Sequence, residues 1–328
     1  MFRKKENKIL VTGLVRFGTS WIGNMLSLGN NTVQIFEPFS IWHPKYYGNL
    51  KIRYHFAYEI LTNPNFQNYI RNIEKARFNL LSEFKQIDSI RTVGKFFVRT
   101  IPFNFKAKIS KNLIIKDPFA FFMSEYFSKN LNYKVVLIMR HPCSFVDSML
   151  RFNGKWDRHN FCYSILSQKD LMQKFNLSEF VNPLEKFSKM EKEREKSKSL
   201  KFDNEMFRLE RACLIWKIYT RFYIELINKN IENIIPIYYE DFANTPIENF
   251  SKLYQKLDLN FSKKIEDLIF KNSNFSKVTS KKIVDTKRNS KTLASIWKKN
   301  LSKNQIDYIF TYCSNELKVL KKYFDDEY

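Results

Sequence analysis

A short stretch near the amino terminus, GLVRFGTSW at residues 13–21, has the glycine spacing of a phosphate-binding loop. The usual pattern is GxxxxGK[ST], in which backbone amides surround the phosphates and the lysine reaches the β- and γ-phosphates of a nucleotide. Here Thr19 replaces the lysine, and Arg16 stands inside the loop. Because a guanidinium group offers forked donors to a tetrahedral oxyanion, the stretch predicts a site for an anion other than a triphosphate with magnesium.

The elements that must position this loop are short strands that alternate with longer helical stretches. Apolar runs typical of buried strands lie at 8–14, 32–36, 112–115, 134–139 and 234–239, and each ends at a polar or charged cluster. This alternation is typical of βαβ units, and open α/β sheets bind ligands beyond the carboxyl ends of their strands. We therefore predict an α/β, P-loop-like three-layer fold with a central parallel sheet of about five strands flanked by helices. The five clusters should meet in one crevice.

We predict a single domain over residues 1–328 with two elaborations. The stretch at about 46–100 shows helical periodicity and is expected to form a cap over an acceptor site or a structural helical layer. The stretch at about 153–205 contains the mixed charge run EKFSKMEKEREKSKSLK, which is expected to be a solvated helix or loop. The amphipathic segment 208–227 is expected to pack on the sheet.

The first loop also resembles that of a known family, the sulfotransferases that use 3′-phosphoadenosine-5′-phosphosulfate (PAPS). Their loop commonly reads RxGTSW or KSGTTW, and RFGTSW matches it except that an aromatic ring stands where serine is usual. That ring raises the question of whether it narrows the acceptor channel. The resemblance implies that Arg16, Gly18, Thr19 and Ser20 hold the 5′-phosphosulfate, with Phe17 in the same cofactor-binding loop. It places Trp21 nearby, either against the cofactor or in the core.

The family's second motif is a strand followed by an arginine and, at a fixed spacing, a serine. The stretch VVLIMRHPCSFVDSML supplies Arg140 and Ser148 at that spacing. An arginine at a strand end and a serine in the following helix can bind one phosphate together. The resemblance implies that this is the 3′-phosphate, which distinguishes PAPS from ATP.

Two further clusters resemble the bacterial and Golgi-type members of the family, which include carbohydrate and protein-tyrosine sulfotransferases. Glu37 lies in EPF after the second strand, and Lys116 lies in KDP after the third. The resemblance implies that Glu37 takes the proton of the acceptor and that Lys116, with Arg16, stabilises charge on the bridging oxygen. Alternatively, Glu37 is a structural carboxylate that caps a turn or pairs with Arg16, and Lys116 forms an ion pair with Asp117 or Glu37. Another candidate base is histidine, at His43 or His55.

The remaining site predictions lie toward the carboxyl terminus. The stretch YYEDF resembles a family element in which Tyr239 touches the nucleotide while Glu240 and Asp241 fix the loop. The stretch KRNSKTLASIWKKN resembles the family's last phosphate-binding element, with Trp297 as a packing anchor. Its candidate phosphate contacts are Lys287, Arg288 and Ser295.

The composition sets limits on partners and compartment. The net charge of +23 predicts a polyanionic partner, although a lysine-rich proteome would produce the same excess. The four cysteines form no CxxC pair, so neither a disulfide framework nor a metal site is predicted. We see no transmembrane run and no signal peptide, and therefore expect a cytoplasmic protein, with peripheral association at the inner face of an anionic membrane left open.

Together these features predict sulfuryl transfer from PAPS to a hydroxyl or amine of a glycan, glycolipid or small metabolite, with release of adenosine 3′,5′-bisphosphate (PAP) and without a metal. One alternative is a degenerate P-loop kinase or nucleotidase, against which the missing lysine and the lack of an acidic magnesium motif argue. Another is a non-catalytic basic protein that binds nucleic acid or a membrane surface. Since aromatic and basic residues do not interleave in a stripe, we expect no nucleic-acid partner. The acceptor and the oligomeric state stay open.

Overall fold

The computed structural model describes residues 5–29, 31–41, 50–75, 101–151, 159–198, 204–274 and 289–324. These residues contain a five-stranded sheet in which all paired strands run parallel. The strands are β1 (Asn7–Gly13), β2 (Thr32–Phe36), β3 (Asn112–Lys116), β4 (Lys134–Met139) and β5 (Ile234–Tyr238). Their order is β2-β3-β1-β4-β5. The predicted α/β fold with a central parallel sheet is therefore confirmed.

Helices form most of the connections that the structure describes. Up to β4 they are α1 (Thr19–Leu26), α2 (Phe66–Glu74), α3 (Ile101–Ile109) and α4 (Ser124–Leu131). Between β4 and β5 they are α5 (Pro142–Leu150), α6 (Phe161–Leu166), α7 (Lys169–Lys174), α8 (Val181–Lys196) and α9 (Glu205–Asn228).

After β5 come α10 (Tyr239–Asn244), α11 (Pro246–Lys256), α12 (Lys263–Ser273), α13 (Ser290–Ser295), α14 (Trp297–Asn300), α15 (Lys303–Tyr312) and α16 (Ser314–Leu320). Short 3₁₀ helices lie at Tyr58–Thr62, Pro118–Met123 and Ser178–Phe180. Within the described ranges, the helices are all too short or too polar to span a bilayer.

The central strands are buried on both faces, which explains their continuous apolar sequences. Ile9, Leu10 and Val11 of β1 have no exposed surface, and the same holds for residues 135–139 of β4. Parallel strands that helices cover on both sides require such residues. The predicted runs at 32–36 and 134–139 coincide with β2 and β4, and the other runs differ from the observed strands by one residue at an end or at both ends.

The position of β1 in the middle of the sheet determines where the site lies. In the sheet, β3 and β2 lie on one side of β1, and β4 and β5 lie on the other. Such a switch point opens a crevice beyond the carboxyl ends of the strands. The loop that follows β1 therefore lies between the segments that follow β3 and β4.

The two predicted elaborations are described in part. The range 46–49 and the range 76–100 of the predicted cap lie outside the described residues, whereas residues 58–62 and 66–74 are helical. The buried face of α2 contributes Phe66 and Tyr69, whose rings pack beside Phe39 on the body of the domain. The mixed charge run is helical to the end of α8, and the amphipathic segment forms α9, which contacts α5, β4 and β5.

Candidate active site

The loop after β1 adopts a backbone conformation that requires glycine. Gly18 has a φ of 90° and Arg16 a φ of 71°, both in the left-handed region. A Cβ atom on Gly18 would lie 2.4 Å from two carbons of the Tyr239 ring, and one on Gly13 would lie 2.7 Å from the carbonyl oxygen of Ile138. Gly18 combines the left-handed conformation with the close approach of Tyr239, and Gly13 allows the close approach of Ile138, so the predicted glycine spacing has a steric cause.

The loop leads directly into α1 and presents backbone donors there. The carbonyl oxygen of Gly18 accepts hydrogen bonds from the amides of Trp21 and Ile22. For the amides of Gly18, Thr19 and Ser20, the described residues provide no hydrogen-bond acceptor. A group of amides at the start of a helix binds anions through their donors and the helix dipole. The loop therefore has the form of an anion cradle.

The first and second predicted motifs meet beside this cradle. The Nε atom of Arg16 donates a hydrogen bond to the Oγ atom of Ser148 over 2.8 Å. The guanidinium group of Arg140 donates to the carbonyl oxygen of Arg16 over 2.6 Å. Arg16 thus contacts the Arg140 guanidinium through its carbonyl and the Ser148 hydroxyl through its side chain. Guanidinium and hydroxyl donors of this kind suit a phosphate.

Arg140 is only 7% exposed, and its guanidinium group and backbone are held from several sides. It lies 4.5 Å from the centre of the Tyr239 ring, and its Nε atom lies 3.8 Å from a carboxylate oxygen of Glu240. The other Glu240 oxygen accepts from the amide of His141 over 3.2 Å, and the indole of Trp216 donates to the carbonyl of Arg140 over 2.8 Å. These contacts fix the orientation of the arginine in advance of any ligand.

The start of α5 is fixed by contacts with the carboxyl-terminal helices. The Nδ1 atom of His141 accepts from the amide of Cys143 and caps α5, and its ring stacks on Trp297 with centres 4.9 Å apart. Burial lowers the pKa of His141 to about 3, with the charge of Arg140 as a further cause, so the imidazole is neutral at pH 7. Asn300 donates to the Asp147 carboxylate over 2.9 Å. Trp297 is therefore a packing residue of the phosphate region.

Glu37 and Lys116 form an ion pair at the carboxyl ends of β2 and β3. The amide of Glu37 also donates to the carbonyl of Lys116 over 2.8 Å. The Lys116 side chain is 3% exposed and that of Glu37 is 30% exposed, so the carboxylate is the solvent-facing partner. Of the two ion pairs considered for Lys116, the one with Glu37 is present. The pair can serve structure alone, or it can hold a base and a cation ready at one place.

Asp117 connects the two segments that carry this pair. Its buried carboxylate accepts from the amides of Phe39 and Phe119 over 2.7 and 2.8 Å. Burial raises the pKa of Asp117 to about 7, and the charge of Glu37 raises it further, against the opposing effect of these amides and of Lys116. Sequence reasoning treated Asp117 only as an ion-pair partner. The Asp-Pro step before a helical turn was the local signal for its capping role.

The two aromatic residues of the first loop lie in the core. The Phe17 ring is fully buried and packs edge-on against Phe145 with centres 5.4 Å apart, so what Phe17 offers a ligand is its backbone. Trp21 packs edge-on against Tyr239 and Phe250. The ring of Tyr239 therefore contacts both the loop backbone and the arginine after β4.

The last predicted phosphate element is described in part. Lys287 and Arg288 lie outside the described residues. Ser295 is exposed on α13, and its hydroxyl donates to the carbonyl of Lys291 in the same helix. Among the described residues, Ser295 is therefore not brought to the Arg140 region.

Across the described segments of the chain, neither alternative histidine base is placed beside the Glu37 carboxylate. His43 lies outside the described residues, and His55 stacks on His159 with ring centres 5.2 Å apart. Burial lowers the pKa of His55 to about 3, and the charge of Arg211 lowers it further. In the described part of the chain, no group of three or more histidine, cysteine or acidic residues is placed to bind a metal ion.

Comparison with known proteins adds a family match. The family described as the sulfotransferase domain matches residues 6–322. Among curated proteins, no sequence matches the chain.

Solved structures that match this chain include three sulfotransferases, each 12% identical to it. Mouse sulfotransferase SULT7A1 complexed with PAP has a TM-score of 0.47, with 97% of this chain and 86% of that chain covered. Sulfotransferase STF9 from Mycobacterium avium has a TM-score of 0.44, with 99% and 78% covered. The sulfotransferase domain from the curacin biosynthetic pathway has a TM-score of 0.42, with 96% and 99% covered.

Proposed function

Because the chain belongs to the sulfotransferase domain family, which confirms the prediction of a sulfotransferase, we propose that its donor is PAPS and its acceptor a hydroxyl or amine of a glycan, glycolipid or small metabolite. The observation that carries the donor assignment is the meeting of Arg16, Arg140 and Ser148 beside the amide cradle. PAPS has two anionic groups at opposite ends of one ribose. The site offers two groups of donors to match them.

The two groups of donors differ in kind, which supports assigning a different anionic group of PAPS to each. The amides of Gly18, Thr19 and Ser20 suit the 5′-phosphosulfate, since several N–H groups can follow its linked oxygens. Arg140 and Ser148 suit the compact 3′-phosphate, which forked guanidinium donors bind in a fixed orientation. Arg16 connects the two groups because it lies in the loop that carries the amides, while its carbonyl contacts Arg140 and its side chain contacts Ser148.

The chemical step requires a base for the acceptor proton on one side of the transferred group and positive charge for the leaving oxygen on the other. The acceptor oxygen attacks sulfur, the bond between sulfur and the bridging oxygen breaks, and the acceptor proton passes to Glu37. Lys116 and Arg16 stabilise the negative charge that grows on the leaving phosphate oxygen. The ion pair supports these roles because it holds the carboxylate and the ammonium at one place, and the carboxylate is the more exposed of the two groups.

Titration calorimetry with PAP and ADP tests the donor assignment. We expect PAP to bind at least about tenfold more tightly than ADP, because each charge-assisted hydrogen bond contributes about 1.5–3 kcal/mol. Ser148→Ala and Arg140→Ala should reduce this preference, while Arg71→Ala, on the exposed side of α2, serves as the matched arginine control. Equal affinities for PAP and ADP would favour the degenerate kinase or nucleotidase, and binding of neither would favour the non-catalytic protein.

The role of Glu37 is tested with Glu37→Gln. This variant keeps the shape of the side chain but cannot accept the acceptor proton. We expect unchanged PAP affinity and a loss of radiolabelled sulfate transfer of about 100-fold or more, which is the usual contribution of a general base. Retained turnover would assign the base to another residue, and weakened PAP binding would indicate that Glu37 serves the donor site instead.

A further inference from the structure

The side chain of Phe36 is an exposed aromatic ring beside the reactive pair. It is 47% exposed at the end of β2, although the rest of that strand is buried or half-buried. Other large exposed apolar side chains occur in the described part of the chain, for example Phe105 on α3 and Phe270 on α12. Phe36 differs from them in its place, because it directly precedes Glu37 in sequence.

Phe36 and Glu37 both lie against the buried ammonium of Lys116. Phe36 is the register partner of Lys116 between β2 and β3, and the Lys116 ammonium lies 5.2 Å from the centre of the Phe36 ring. The same ammonium pairs with the Glu37 carboxylate. β2 is the edge strand of the sheet, so the ring stands at the side of the crevice away from β4 and Arg140.

We propose that Phe36 is the platform on which the acceptor lies, and that the acceptor carries its hydroxyl on a ring with an apolar face. This inference rests on the proposed function, because it takes Glu37 as the group that meets the acceptor hydroxyl. The Lys116 ammonium pairs with Glu37 and lies 5.2 Å from the centre of the Phe36 ring, so a hydroxyl within hydrogen-bond reach of Glu37, about 2.6–3.2 Å, leaves the ring that bears it close to Phe36. An aromatic side chain gains by covering its exposed face with another apolar ring face.

The chemistry of the platform excludes open-chain polyols as preferred acceptors. Such molecules carry hydroxyl groups along the whole chain, and contact with Phe36 would remove those groups from water without giving them a partner. A ring has one face of carbon and hydrogen, whether it is an aryl ring or the ring of a sugar. These two sources share the chemistry that Phe36 recognises, and separate probes can distinguish them.

The test measures radiolabelled sulfate transfer from PAPS to 2-naphthol, to methyl β-D-glucopyranoside and to sorbitol. We expect turnover of at least one ring probe and much weaker turnover of sorbitol, with the better ring probe identifying the source. In Phe36→Ala the KM for that probe should rise about tenfold, since about half of a phenylalanine surface contributes to the contact. In Phe36→Tyr, which keeps the ring, the KM should stay near that of the unchanged protein.

Two controls keep the inference separate from the proposed function. PAP affinity, measured by calorimetry, should be the same in Phe36→Ala and in the unchanged protein, and Phe105→Ala should leave the KM for the ring probe unchanged. If PAP binds but the ring probes are not preferred over sorbitol, or Phe36→Ala leaves their KM unchanged, the platform is refuted while the donor assignment stands. If PAP does not bind, the proposed function fails and the platform fails with it.

Discussion

Substituting Gly18 by alanine tests how the first loop is built. Gly18 has a φ of 90°, and an alanine in the left-handed region costs about 1–2 kcal/mol. The added Cβ atom would lie 2.4 Å from two carbons of the Tyr239 ring, which forces the ring to move. Overpacking of this kind costs about 1–3 kcal/mol more. We therefore expect Gly18→Ala to lower the free energy of unfolding by about 2–5 kcal/mol.

The expected change in melting temperature follows from the size of the chain. At about 2.1 cal/mol/K per residue, the unfolding entropy of 328 residues is about 0.7 kcal/mol/K. A loss of 2–5 kcal/mol then lowers Tm by about 3–7 °C. The same substitution should weaken PAP binding by about tenfold or more, because the displaced ring also packs against Arg140. Differential scanning fluorimetry and calorimetry with PAP measure the two effects.

A second glycine serves as the control for this prediction, and a double variant tests the contact with Tyr239. Gly29→Ala is the matched control, because its Cβ atom would lie 3.5 Å from the Thr32 hydroxyl, which is an ordinary contact. In the background of Tyr239→Ala the ring is absent, so Gly18→Ala should cost only the backbone part of the energy, about 1–2 kcal/mol. Equal losses in both backgrounds would refute the contact with Tyr239. Unchanged Tm and PAP affinity in Gly18→Ala would refute the loop conformation itself.

Two further predictions concern buried charge. Asp117→Ala leaves the amides of Phe39 and Phe119 without their acceptor and should cost about 2–6 kcal/mol in urea unfolding. Because the folded-state pKa of Asp117 is raised to about 7 from 3.8, the stability that this group contributes is largest below pH 4 and declines as the pH rises to 7. The difference between the unchanged protein and Asp117→Ala should therefore be larger at pH 5 than at pH 8, and the opposite trend would contradict the raised pKa. Glu191 and Arg211 form a buried ion pair, so Glu191→Gln leaves the charge of Arg211 uncompensated and should cost about 3–5 kcal/mol. Glu248 pairs with Lys252 on the surface, so Glu248→Gln should leave Tm unchanged.

The parts of the structure that the sequence predicts well are those with local causes. Strand positions follow from continuous apolar runs, and the first loop follows from a short glycine pattern. The residues that leave no room for a Cβ atom on these glycines, Ile138 and Tyr239, lie far along the chain. The contacts around Arg140 could not be read in the same way. They depend on the pairing of β4 with β5, which places Met139 opposite Tyr238 and so brings Tyr239 and Glu240 beside the arginine. Phe17 is a similar case, because its burial depends on Phe145 in a helix far along the chain.

The absence of the P-loop lysine can be understood from the positions of the cations. Lys116 ends β3, Arg16 follows β1 and Arg140 follows β4, and these strands are adjacent in the order β3-β1-β4. Positive charge is thus spread along the crevice instead of being concentrated at the helix start, where Thr19 is buried. Under the proposed function, the 3′-phosphate lies at the Arg140 end and the sulfuryl group at the Lys116 end. The acceptor must then approach from the β2 edge, which is the side where Glu37 and Phe36 are exposed.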